Sequence, residues 1–110
     1  MVDNKNGFVV NEGGGKRMFV RVVHFKSKAG MEEQLRKIGR DVLVPINKDA
    51  GCEQVHFLEP TADNHSFGVI SIWDNKEQLD AMKNSERYRA LIQDLTPLIE
   101  SITDQLYLTE

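Results

Sequence analysis

Residues 18–26, Met-Phe-Val-Arg-Val-Val-His-Phe-Lys, constrain the fold more than any other stretch of the chain. Their β-branched and aromatic side chains read as a β-strand. Alternate side chains of a strand point to opposite faces. Phe19, Val23 and Phe25 fill one face, interrupted by Arg21, and Met18, Val20 and Val22 fill the other, ending at His24. A strand that is apolar on both faces has to be buried on both. A chain of 110 residues makes a single domain. Its helical segments can cover one side of a small sheet and leave the other side to be covered from outside the chain.

The rest of the sequence supplies those segments. After Gly30, the residues Met31, Leu35, Ile38, Val42 and Ile46 recur at helical spacing. Glu32 and Glu33 sit in the first turn, where the helix dipole favours acids. Pro45 lies within the stripe and predicts a bend over 41–45. Ala50-Gly51 ends the helix. Residues 52–59 and 66–73 read as strands around a turn at 60–64. Asn75, three residues before Gln78, matches a helix N-cap, and Ser85 offers a second one. Leu79 and Met82, then Tyr88, Leu91, Ile92 and Leu95, give these helices their apolar faces before Pro97. Residues 102–109 alternate as a fourth strand. The order β-α-β-β-α-β predicts an α+β, ferredoxin-like domain with an antiparallel sheet over 17–110. Residues 1–16, with three consecutive glycines at 13–15 and a short Phe8-Val9-Val10 patch, read as a flexible tail.

Composition excludes several classes. Fourteen Lys and Arg against seventeen Asp and Glu leave a net charge of −3, the wrong sign for a nucleic-acid partner. No apolar run nears the length of a membrane span. The N-terminus lacks the apolar core of a secretory signal, so the expected location is cytoplasmic. One cysteine, Cys52, allows neither an internal disulfide nor a cysteine-based zinc cage, and no metal is expected. Phosphate-loop, nucleophile-elbow and dinucleotide motifs are absent from the sequence.

The candidate chemical groups are few. His24 and His56 fall within strands and could each serve as a general base, or sit at a sheet or subunit interface. Alternation puts His24 on the face opposite Val23 and Phe25. If a pocket lies on the Val23 side, His24 is an interface residue and not its base. Trp73 suits either a core anchor or a wall that stacks on an aromatic ligand. Tyr88 belongs to a core stripe, with its hydroxyl reaching a rim or cavity. Arg21, alone in an apolar strand, needs an anionic or carbonyl partner. An inter-subunit salt bridge and a substrate anion both satisfy that need. Cys52, with no basic neighbour in sequence, reads as a small buried hydrophobe.

Three stretches together resemble one family. They are Arg21-Val22-Val23-His24-Phe25-Lys26-Ser27-Lys28-Ala29-Gly30, then Val44-Pro45 leading to Ala50-Gly51-Cys52, and finally Ser71-Ile72-Trp73-Asp74-Asn75-Lys76-Glu77-Gln78-Leu79 followed by Asn84-Ser85-Glu86-Arg87-Tyr88. Their order and spacing over residues 17–109 are similar to the antibiotic biosynthesis monooxygenases. The resemblance implies a dimeric α+β barrel, in which two protomers pack sheet against sheet. It also implies oxidation of a small aromatic quinol or phenol by O₂ without flavin, haem or metal, the substrate anion supplying the electrons. Positions near Val23, Met82 and Ile92, where haem-degrading relatives carry Asn, Trp and His, do not match, which disfavours haem degradation. The residue pair before Tyr88 is Glu86-Arg87, so no histidine carries over there.

The expectation is therefore a cofactor-independent, monooxygenase-like homodimer acting on a small aromatic molecule. The expected pocket walls are Val23, Phe25, Phe57, Trp73 and Tyr88, and the candidate polar groups are His24 and His56. A non-catalytic ligand-binding or stress-associated dimer of the same fold remains an alternative, as does an isomerase or signal-degrading member.

Overall fold

The computed structural model describes residues 16–110. The tail expected over 1–16 lies outside the described residues except for Lys16, whose ammonium pairs with Asp74 at 2.8 Å. The elements run β1 (Phe19–Ser27), α1 (Glu32–Ile38), α2 (Val44–Asp49), β2 (Gln54–Leu58), β3 (Phe67–Trp73), α3 (Lys76–Lys83), α4 (Glu86–Leu95) and β4 (Ile99–Leu108). All strand pairs are antiparallel, in the order β2-β3-β1-β4. This is the ferredoxin-like arrangement that the element order predicts. Among the described residues, no helix is long and apolar enough to cross a membrane.

Strand alternation divides the sheet. Phe25 and Arg21 of β1 and Phe67, Val69, Ser71 and Trp73 of β3 are buried beneath the helices. Leu35, Leu43, Ile46, Leu79, Met82, Leu91 and Leu95 close over them. Phe25, Phe57 and Phe67 form an aromatic cluster, with ring centroids 5.8–6.5 Å apart. On the other face, Val20 pairs with Ile72 and Val22 with Ile70 across β1 and β3. These four side chains are only half buried, and no described element covers them.

Both predicted caps form. Asn75 accepts from the Gln78 amide at 3.0 Å, and Ser85 accepts from the Tyr88 amide at 3.1 Å. Gly51, with φ near +101°, turns the chain out of α2. The irregularity near Pro45 takes a different form from the expected bend over 41–45. Residues Gly39–Leu43 widen into one π-helical turn, in which the Val44 amide bonds to the Gly39 carbonyl. Proline has no amide to donate, and its ring crowds the carbonyl one turn back. A wider turn moves that carbonyl aside. The extra residue also advances the helix phase. Leu43 and Asn47 now face the sheet, while Val42 is half buried.

Strand β4 begins at Ile99, three residues before the expected start. A register shift at Lys26/Ser27 lets Ser27 pair with Ile99. The Leu98 carbonyl accepts the Lys28 amide at 2.8 Å. The added residues Glu100 and Ser101 are exposed and carry no strand signal in their side chains.

Gly39 shows why the wide turn holds glycine. A β-carbon there would lie 2.3 Å from Phe57 Cε1, inside the ring's own volume. The Gly39→Ala variant should therefore lose about 1–3 kcal/mol, because Phe57 has to leave the Phe25–Phe67 cluster. Urea unfolding followed by circular dichroism checks this, and an unchanged midpoint would mean that the ring has room to move.

A polar cluster in an enclosed apolar cavity

Arg21 is the centre of the candidate site. It stands on β1 facing the helices and is 6% exposed. Its partner is on the same chain, in contrast to the inter-subunit bridge offered by the sequence. Asp104 lies across the β1–β4 ladder opposite Val23, two pairs along from Leu106, which stands opposite Arg21. Its carboxylate accepts from Arg21 Nε at 3.0 Å and from Nη2 at 2.6 Å. Nη2 also donates to Tyr88 Oη at 2.8 Å. The guanidinium carbon sits 5.6 Å from the centre of the Tyr88 ring. The Ser85 cap fixes the start of α4, so that Tyr88, one turn on, reaches back to the sheet.

The electrostatics follow from burial. Desolvation pushes the Arg21 pKa down, but hydrogen bonds to Asp104 and Tyr88 outweigh it, and the guanidinium is held above its ordinary value. The Arg21 hydrogen bonds hold the Asp104 carboxyl below the usual carboxylate range, against the opposing effect of burial. Both groups are charged at neutral pH.

A small enclosed cavity of about 20 Å³ borders this cluster. Val23 and Phe25 of β1, Val69 and Ser71 of β3, and Leu43 and Asn47 of the first helical segment line it. Tyr88, Ile92 and Leu95 of α4 and Ile102 of β4 complete it. Ser71 Oγ accepts from the buried Trp73 indole at 2.9 Å. Trp73 is fully buried two residues along β3 from Ser71, outside the lining. Phe57 packs in the aromatic cluster beside Phe25 and likewise does not line the cavity. Val23, Phe25 and Tyr88 are brought together at the cavity itself.

The histidines lie elsewhere. His24 and His56 are both exposed on the open face of the sheet. His56 Nε2 is 3.3 Å from Gln54 Oε1 on the same face. The sheet separates both imidazoles from the cavity. Cys52 is half buried, and burial raises its thiol pKa, with Glu53 adding to the effect. No group of three His, Cys, Asp or Glu side chains among the described residues is placed to hold a metal.

A larger groove of about 340 Å³ runs along Ile46, Ala50, Gln78 and Met82. It opens to solvent, and its charged pair, Arg87–Asp49 at 2.8 Å, is exposed at both ends. Exposed pairs contribute little. The enclosed cavity, with its desolvated polar groups, is the stronger site.

Asn47 and Asp104 have no counterpart among the site residues expected from sequence. Asp104 left a signal, as an acid between Ile102 and Leu106 on one strand face. Asn47 left none, because the π-turn sets its direction.

Comparison with known proteins agrees with this architecture. No curated protein matches the sequence significantly. A protein from Shewanella oneidensis superposes with a TM-score of 0.74 at 18% identity, covering 86% of this chain and 93% of its own. One from Pseudomonas aeruginosa gives 0.73 at 19% identity, covering 84% and 94%. A provisionally named antibiotic biosynthesis monooxygenase from Caulobacter crescentus gives 0.73 at 12% identity, covering 84% and 89%. At these identities the likeness shows the shared fold. The antibiotic biosynthesis monooxygenase family model matches residues 18–94, most of the folded region, and the chain belongs to that family.

Proposed function

We propose that the protein is a cofactor-independent monooxygenase that oxidises a small aromatic phenol or quinol with O₂. The observation that carries this reading is the buried Arg21–Tyr88 pair beside an apolar cavity. An aromatic substrate enters such chemistry as its electron-rich anion. The Arg21 guanidinium is partly balanced by Asp104, and its remaining N–H groups, with the Tyr88 hydroxyl, are fixed donors that favour that anion in a site shielded from water. In the net reaction a phenol C–H becomes C=O. One atom of O₂ enters the ring and the other leaves as water. The substrate supplies all four electrons, so the protein provides binding, charge and exclusion of water.

The cavity has room for about one water molecule. A benzene-sized ring needs on the order of 150 Å³. Substrate binding therefore parts the walls, and the seam between α4 and β4 is where they part, because Ile102 there is 49% exposed. Family members are typically dimers. We place the second protomer on the apolar stripe of Val20, Val22, Ile70 and Ile72, which would bury His24 and His56 at the interface.

The test is oxygen uptake by the chelator-treated protein with naphthoquinols, anthrones and catechols, corrected for autoxidation. Saturable uptake is expected. His24→Gln and His56→Gln should keep turnover within about twofold, since each acts only on the far face of the sheet. A collapse of turnover in either variant would move the chemistry to that face. Saturable binding without oxygen uptake would favour the ligand-binding alternative.

A further inference from the structure

Asn47 is 1% exposed and lines the enclosed cavity. Its Nδ2 donates to the Leu43 carbonyl at 2.8 Å. A backbone carbonyl only accepts, so this contact holds the amide nitrogen against the helix and fixes which end of the side chain carries the oxygen. Among the described residues, Oδ1 has no hydrogen-bond partner. A buried acceptor without a donor is destabilising, and packing alone gives no reason to keep it where leucine has the same branched shape.

The other polar groups of the cavity differ in kind. Tyr88 Oη already accepts from Arg21, and Ser71 Oγ already accepts from Trp73. Each therefore has its own hydrogen to give. The lining offers two hydroxyl donors, one cation and one fixed acceptor. A ligand that satisfies all of them carries an oxygen acceptor or oxyanion and, separately, a hydroxyl or ring N–H donor.

We propose that Asn47 is a specificity-determining residue whose Oδ1 accepts a hydrogen bond from a protonated hydroxyl or ring N–H of the bound aromatic molecule. This rests on the cavity being the aromatic-ligand site. It narrows the substrate class from phenols in general to rings bearing a second donor, such as dihydroxyarenes. Rings whose only oxygen substituents are ethers or carbonyls leave Oδ1 unpaired and bind more weakly.

The probes are 1,5-dihydroxynaphthalene and 1,5-dimethoxynaphthalene, titrated under nitrogen and followed by amide NMR shifts of the cavity residues. The wild-type chain should prefer the dihydroxy compound by about tenfold to a hundredfold. Asn47→Leu should bind both and narrow the preference by at least about fivefold, leaving the part due to Arg21. It should also melt no lower than the wild type, because it removes an unpaired buried group. A purely structural asparagine would give the opposite, a lower melting temperature with the preference intact, and that result would overturn the proposal. If the leucine variant does not fold, Asn47→Ser carries the same comparison with the carbonyl withdrawn. If neither naphthalene shifts the cavity resonances of the wild type, the reading of the cavity itself fails. If both shift them equally, that reading stands and the role of Asn47 falls.

Discussion

Trp73→Ala should lower the stability of the domain by about 3–5 kcal/mol, the range for removing a fully buried large aromatic side chain. Trp73 is 0% exposed, and it ends the central strand β3 beneath α3. A domain of this size loses roughly 4–8 °C in melting temperature per kcal/mol. The expected fall is therefore on the order of 12–40 °C, and the free-energy loss is a large fraction of typical marginal stability. Trp73→Phe keeps most of the volume but takes away the indole donor to Ser71 Oγ. It should cost about 1–2 kcal/mol. The two variants thus separate volume from hydrogen bonding. Trp73 is the chain's only tryptophan, so unfolding has to be followed by circular dichroism. A loss below about 1 kcal/mol in the alanine variant would mean that the surrounding core closes over the space.

The behaviour of individual residues explains what could be read from the sequence. The two N-caps were legible because capping depends on residues three apart, and Asn75 and Ser85 each bond to the amide three residues on. The two-sided apolar character of β1 was legible because strand periodicity is local, and Val20 and Val22 do stand on a face that the described chain leaves uncovered. The partner of Arg21 was not legible in this way. Asp104 lies 83 residues away, and only the β1–β4 register brings the two together. Asn47 was hidden for a different reason. A regular helical stripe places Val42 and Ile46 inward; Ile46 is buried as that stripe expects, but the π-turn before Pro45 brings Leu43 and Asn47 to the cavity and leaves Val42 half buried. Trp73 and Phe57 were read as walls from residue type alone. In the structure they stand beside the cavity on the same face of the sheet, Trp73 two residues along β3 from Ser71 and Phe57 opposite Val69 on β2. Residue type thus marks them as aromatic and buried, and only strand register shows which side chains reach the cavity.

Arg21→Met should separate the two roles that the guanidinium combines. Methionine fills a similar apolar volume and carries no charge. Removing one member of a buried ion pair costs about 3–5 kcal/mol where it strands the partner's charge away from water. The Asp104 side chain is 38% exposed, so water can reach it once Arg21 is gone. The fold should survive, and the Asp104 carboxyl should titrate closer to its ordinary range. That shift has a sign that can be checked. In the wild type the depressed carboxyl contributes stability that is present at neutral pH and lost as pH falls below the ordinary value of 3.8 and through the lower folded value. The variant should lack this acid-limb contribution. Catalysis should respond far more strongly. Removing one preorganised donor at a developing or bound oxyanion typically costs about 10²–10³ in turnover. A bound phenol should also show the loss directly. In the wild type its ionisation, read from its absorption band, should shift to lower pH than in water, and in Arg21→Met the shift should vanish or reverse. Full turnover together with an unshifted phenol would make Arg21 a structural partner of Asp104 and Tyr88, and the cavity would then need another source of charge. A variant that folds, binds the ring and fails to ionise it would place the guanidinium in the oxidation itself.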